Sequence, residues 1–204
     1  MAVAEAVSSE ALFGDVHPQS SRRLLLASLD CFATHGYTAT TTRQIAALTD
    51  MSPAAVYVHY RSKQELLGAL SRAGHSAVLR HVERAVHGLQ APTDRVRRFV
   101  EAFADWHATH QKLARVIQYE LGGLSAKQLD DVRCDRDRVE AILRGAIRDG
   151  VTAGTIRADD VDGAALALLS LGIDVARWYS PEGRKTPQEI GAFYGQLAMR
   201  ALAQ

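Results

Sequence analysis

Between Thr41 and Lys63 the chain carries Thr41, Thr42, Arg43, Ser52, Tyr57, His59 and Lys63. Hydroxyl, imidazole, guanidinium and ammonium donors in this density suit the holding of phosphate oxygens rather than bond-breaking chemistry. The small Ala54 and Ala55 among them would let a backbone come close to base edges. Pro53 and Tyr60 are counted with this set. The spacing predicts two short helices to carry it. Thr41 and Gln44 form a capping box, and Ile45, Ala46 and Leu48 give the first helix an apolar face. Thr49-Asp50-Met51 is the turn. Ser52 caps the second helix, Pro53 takes its first position, and the helix runs to about Tyr60. Val56 and Tyr60, four residues apart, can face inward. Two such helices make a helix-turn-helix, whose second helix enters the major groove of double-stranded DNA.

The same stretch resembles the DNA-binding domain of tetracycline-repressor-like (TetR family) regulators. Leu24 to Phe32, Gly36-Tyr37, Thr40-Thr41, Ile45-Ala46, Ser52, Val56-Tyr57, His59-Tyr60 and Ser62-Lys63 with Leu66 fall where that family has its pattern. The match covers roughly residues 20 to 70. Met51 departs from the pattern, and Asp50 stands where the family usually has Gly; Asp tolerates a left-handed turn better than most residues. The resemblance implies a palindromic operator, a homodimer and a small-molecule effector.

Composition narrows the alternatives. The 204 residues are 47% hydrophobic and 23% charged, and the net charge of +1 argues against a protein that coats nucleic acid. Charge is uneven, however. Residues 20–63 hold Arg22, Arg23, Arg43, Arg61 and Lys63 against Asp30 and Asp50, the local positive patch a small DNA reader needs. There is no G-x-G-x-x-G, P-loop, H-E-x-x-H or G-x-S-x-G pattern, and no cofactor is implied. Cys31 and Cys134 lack metal spacing and read as reduced side chains of a cytoplasmic protein. His75, His81 and His87 read as lying along an exposed helix. His107 and His110 stand three apart, but no further ligand joins them, so no metal site is expected. No signal peptide is evident, and the apolar run Gly163 to Ile173 is too short for a membrane span.

The remainder reads as helices throughout. Residues 1–18 are an acidic arm, expected to be disordered. Ser20 or Ser21 is expected to cap a helix that carries Leu25, Leu29 and Phe32 and ends before Gly36. Tyr37 is expected to pack back onto it. Ser62, with Glu65, caps a long helix to about His87. Thr93 or Asp94 caps the next, through Phe99, Phe103 and Trp106, and a short helix follows over 111–121. Ser125 caps another to about Asp149, whose mixed charges mark a solvated face. Asp159-Asp160 opens a helix that is apolar nearly all round, which demands burial on several sides. The last helix starts at Pro187. Its Gly191 and Gly195 allow close approach of another helix. The last two helices read as half of a four-helix bundle completed by a second subunit, through Leu168, Ile173, Ile190, Tyr194, Leu197 and Ala201. The alternative is an internal core.

The segment LGIDVARWYSPEGRKTPQEIGAFYGQLAMRAL is similar to the C-terminal part of TetR-family regulators that respond to acyl-CoA thioesters in fatty-acid or steroid breakdown. The resemblances imply an effector cavity flanked by Phe103, Trp106, His110, Arg115, Gln118, Tyr119, Arg177 and Trp178; the plainer reading has aromatics in the core and arginines in salt bridges. The expectation is therefore an all-α protein of about nine helices. It has an arm (1–18), a helix-turn-helix domain (19–66) and a ligand-binding and dimerisation domain (67–204). Its function is effector-controlled repression. Two alternatives stand beside it: a constitutive DNA-binding regulator, and a helical enzyme using His107 or His110 as acid and base.

Overall fold

The computed structural model describes residues 12–14 and 16–203. Among them are nine α-helices, one short 3-10 turn and no strand. The helices are α1 (Gln19–Ala39), α2 (Thr42–Ala47), α3 (Pro53–His59), α4 (Lys63–Val86), α5 (Pro92–Thr109), α6 (Gln111–Tyr119), α7 (Ala126–Thr152), α8 (Val161–Trp178) and α9 (Pro187–Ala201). The 3-10 turn is Leu121–Gly123. Two compact units emerge. The first holds the chain up to Ser76 together with Lys112–Arg133; the second holds Ala77–Gln111 and the chain from Cys134 onward. The long helix α4 contributes to both, and the expected division after residue 66 falls inside it.

In the first unit, α1 buries Leu24, Leu25, Leu29 and Phe32 at helical spacing. Its N-cap is Pro18, with no side-chain bond, rather than Ser20 or Ser21; Ser21 is buried within the helix. Regular helix breaks at Gly36, where φ is 77°, a conformation open to glycine. Tyr37 then folds back edge-on to Phe32, with ring centroids 5.4 Å apart. Most of the arm expected over 1–18 lies outside the described residues, but Phe13 is fully buried, so that end of the arm is anchored. Thr41 and Gln44 form the expected capping box on α2. Ser52 caps α3 by accepting the N–H of Ala55. Ser62 accepts the N–H of Glu65 at 3.1 Å, but the Glu65 carboxylate takes the N–H of Arg61, one residue earlier than a capping box would have it. Leu66, Leu67 and Leu70 are buried on α4 and Leu113 and Ile117 on α6. Gly74 permits this packing: a Cβ there would lie 2.6 Å from Ile117 Cδ1.

In the second unit α5 starts at Pro92 with Ala91 as N-cap, so neither Thr93 nor Asp94 serves. Proline's fixed φ begins the helix there without a side-chain cap. α5 buries Val96, Phe99, Val100, Phe103 and Trp106. α9 lies along α5, and its two glycines make that approach possible. A Cβ at Gly191 would stand 2.5 Å from the carbonyl oxygen of Glu101, and one at Gly195 would strike the Glu101 side chain. Ile190 joins Ala104, Ala108 and Val175 in a core against which Tyr179 and Tyr194 pack.

The apolar helix α8 is less covered than its composition demands. Leu166 is 62% exposed and Leu171 44%, and on α9 Phe193 is 48% and Leu197 38% exposed. Leu168 and Ile190, expected at the subunit contact, are instead buried within the protomer. The α8 and α9 stripes have two sides, and only one faces inward. Ile173 and Tyr194 are half-buried and Ala201 is exposed.

The close approach of α9 to α5 yields a test. Gly191→Val should destabilise the protein by about 1–3 kcal/mol, because the obstacle is backbone, which cannot rotate away. Urea unfolding of the two proteins measures this; equal midpoints would mean that the helices separate freely.

Candidate DNA interface and effector region

Local structure aims the helix-turn-helix. Asp50 adopts φ 56°, and it is the described non-glycine residue with positive φ. Arg23 holds that turn, donating to the carbonyl of Thr49 at 2.8 Å, with its guanidinium 3.9 Å from the Asp50 carboxylate. Val56 is fully buried and fixes the inner face of α3. Thr42, half-buried at the start of α2, and Tyr57, exposed on α3, meet through their hydroxyls at 3.1 Å. Arg43, Ser52, Pro53 and Ala54 are exposed and Ala55 half-buried.

Tyr60, His59 and Lys63 are turned to partners inside the domain. Tyr60 is buried, its hydroxyl donating to the carbonyl of Ser21 at 3.4 Å, and burial pushes its pKa up to about 12, with Glu65 adding to the shift. It is a core residue, not a DNA contact, because its i, i+4 partner Val56 shares the inner face. His59 meets the Ser21 hydroxyl through Nδ1 at 3.1 Å. The Lys63 ammonium donates to the carbonyls of Tyr37 (2.7 Å), Thr38 (3.2 Å) and Thr40 (2.8 Å), and it stands 4.4 Å from the Tyr37 ring centroid. An ammonium has three N–H donors, so none is left for phosphate. Lys63 instead closes the C-terminal end of α1.

The expected effector residues divide between the units. Phe103, Trp106 and His110 cluster on α5. Phe103 stacks on Phe99 with centroids 5.7 Å apart, and a Cβ on Gly172 of α8 would meet its ring at 2.5 Å. Trp106 lies 5.2 Å from the His107 ring and 5.0 Å from that of His110. Burial, with His81 a smaller cause, pushes His110 down to about 4. Arg177 makes a bidentate pair with Asp174 at 2.6 and 2.7 Å, and Trp178 beside it is 44% exposed. Arg115, Gln118 and Tyr119 belong to the first unit, where Arg115 and Tyr119 are exposed.

A groove of about 500 Å³ in the second unit is lined by none of these eight; Arg84, Arg98, Asp105 and Gln188 are among its walls. His81 Nε2 stands there 3.8 Å from Asp105 Oδ2. Burial pushes the Asp105 carboxyl up, and it pushes the His81 imidazole down with help from Arg84. His75 is buried, with Nδ1 2.8 Å from the Ser71 carbonyl, so the reading of His75, His81 and His87 as one exposed row holds only for His87. No group of three or more potential metal ligands forms among the described residues.

The profile of bacterial regulatory proteins of the tetR family matches residues 24–70, and that of the tetracyclin repressor-like C-terminal domain matches residues 89–202, more than half of the chain. The chain belongs to the tetR family. A solved tetR-family regulatory protein from Rhodococcus is 41% identical, covering 91% of this chain and 98% of its own, with a TM-score of 0.86. The transcriptional repressor KstR2 of Mycolicibacterium smegmatis is 25% identical over 191 residues, 91% of this chain and 92% of that protein. AibR, solved with isovaleryl coenzyme A and operator DNA, shares the fold at a TM-score of 0.80 and 22% identity, over 87% of this chain and 97% of its own.

As a tetR-family protein this chain is a DNA-binding transcriptional repressor, and regulators of the family act on operator DNA as dimers. The family consists of regulators and not enzymes, which removes the acid–base role considered for His107 and His110. No helix among the described residues is long and apolar enough to cross a membrane. One strongly outward residue of α3 stands outside the expected set. Val58 on α3 is 81% exposed, and the signal for it is helical phase: two positions beyond the buried Val56 it must point away from the core.

The two engagements available to Lys63 separate experimentally. Lys63→Ala should lower stability by about 1–3 kcal/mol, since partly buried carbonyls would be left without their donors. It should leave the salt slope of DNA binding unchanged, whereas taking one cation off a phosphate lowers the slope by about 0.9. Melting curves and affinities at several salt concentrations measure both; a lowered slope with unchanged stability would put the ammonium on phosphate.

Proposed function

We propose that this tetR-family repressor is controlled by a small hydrophobic effector, an acyl-CoA thioester, whose binding releases a dimer from a palindromic operator. The observation that carries the reading is the kinship in fold with AibR, solved with both isovaleryl coenzyme A and operator DNA, alongside the likeness to KstR2 across nine-tenths of the chain. Cytoplasmic residence belongs to the same reading. The dimer joins through α8 and α9, where Leu171, Phe193 and Leu197 are apolar and uncovered. Ile173, Tyr194 and Ala201 border that surface. Two recognition helices are then held about one DNA turn apart, roughly 34 Å or a multiple.

Release needs a ligand with unequal affinity for two arrangements, by about 5.5 kcal/mol to move the balance from about 1:99 to 99:1. The Phe103, Trp106 and His110 cluster, with Trp178 and Arg177, forms the apolar and cationic set on the second unit. Arg115, Gln118 and Tyr119 belong to the first unit. Coupling to DNA runs through the segment Lys112–Arg133, which packs in one unit with the helix-turn-helix. There the backbone N–H of Tyr37 donates to the Glu120 carboxylate at 3.0 Å, and Gln64 donates to the Gly123 carbonyl at 3.0 Å. A ligand that shifts α6 therefore pulls on the end of α1.

A constitutive regulator is the second reading. One observation favours it: Phe103 and Trp106 are already covered by the protein's own side chains, at 5% and 3% exposure.

Two measurements test the proposal. Leu197→Asp should give a folded monomer that has lost operator affinity, because an unpaired charge buried in the subunit interface costs several kcal/mol while the protomer itself leaves Leu197 partly exposed. Sedimentation of a folded dimer would exclude this surface. For the effector, a duplex selected from a random library by the protein is titrated with acyl-CoA thioesters, their free acids and coenzyme A. Longer or polycyclic thioesters should release it at lower concentration than acetyl-CoA, by ~0.8 kcal/mol for each further buried CH2. Release by free acids alone would remove the thioester, and release by nothing would favour the constitutive reading.

A further inference from the structure

The recognition helix lacks every side chain that makes a bidentate pair with a base. Between Ser52 and Tyr60 there is no Arg, Lys, Asn, Gln, Asp or Glu. Guanine is ordinarily read by Arg or Lys, adenine by Asn or Gln, and cytosine by carboxylates, each through hydrogen bonds in the major groove. Nothing on α3 can do this. Its most exposed side chain is apolar. With 3.6 residues per turn, Val58 stands nearly opposite the buried Val56, and Ala54 lies one turn before it on the same side. Val58 is 81% exposed and Ala54 is exposed as well. Tyr57 flanks this ridge, its hydroxyl held by Thr42.

An apolar ridge on a groove-reading helix has one complement among the bases. Thymine alone carries an apolar group, its C5 methyl, on the major-groove edge. We propose that α3 reads the operator through thymine methyl groups, with Val58 and Ala54 as the reading surface. Discrimination then comes from burying methyl against methyl. The donors around the ridge, with Arg43 on α2, fix position and register instead. This inference rests on the DNA-binding assignment of the family and not on the identity of the effector.

The test uses the full chain and a duplex selected by it from a random library. Each thymine is replaced singly by deoxyuridine, which removes the methyl and keeps every hydrogen-bonding group. At one or two thymines in each half-site the loss should be about 4-fold, the weight of one methyl-sized apolar group. Val58→Ala should bind the thymine duplex more weakly by a similar factor and should no longer distinguish thymine from deoxyuridine at that position. Its melting temperature and its affinity for unrelated duplex should match those of the parent, since the side chain is exposed. If every deoxyuridine duplex binds as the thymine parent does, or if the penalty persists undiminished in Val58→Ala, the proposal is overturned.

Discussion

The DNA-reading end of this protein depends on how helix α1 is brought to a stop. Gly36 breaks the helix with a positive φ, and the carbonyls of Tyr37, Thr38 and Thr40 then have no helical partners. The Lys63 ammonium takes all three, and it does so from the first residue of α4. Glu120 takes the N–H of Tyr37 from the other side. One junction therefore fixes where α2 begins, where α4 starts, and where the 112–133 segment docks. The placement matters because backbone groups that are partly buried and unmet are costly.

Much of this architecture was legible because it is local. Caps, proline at a first position and glycine at a break act within a turn or two, so Thr41, Ser52, Asp160 and Pro187 mark their helix starts in both sequence and structure. Asp50 in the turn is the same kind of signal, since few other side chains accept its backbone. What escaped was long-range. Lys63 has the chemistry of a phosphate ligand, and only the fold reveals that the end of α1 sits within its reach. Leu168 and Ile190 belong to stripes that a sequence can find, but which side of a stripe meets the protomer's own core depends on α5. The starts of α1 and α5 misled for a simpler reason: Ser and Thr are common near helix starts, yet Pro18 and Ala91 begin these helices with no side-chain bond.

The second unit follows a different logic from the first. Its helices are held by close packing rather than by polar caps: Gly172 receives Phe103, and Gly191 and Gly195 admit the backbone of α5. Small residues at these places trade side-chain burial for short interhelical distance. The same arrangement sends the bulkier side chains of α8 and α9 to the opposite side, where they stand uncovered in the protomer. Tight internal packing and an apolar outer surface are thus two results of one placement of glycines.

The unit that carries the helix-turn-helix is discontinuous in the chain, since Lys112–Arg133 belongs to it as much as α1 to α3 do. Grafting operator specificity between relatives is usually imagined as a single cut after the helix-turn-helix. Here such a chimera would separate Tyr37 from Glu120 and Gln64 from the carbonyl of Gly123. A transplant that keeps its aim must carry both pieces, the helix-turn-helix and the 112–133 segment that packs with it.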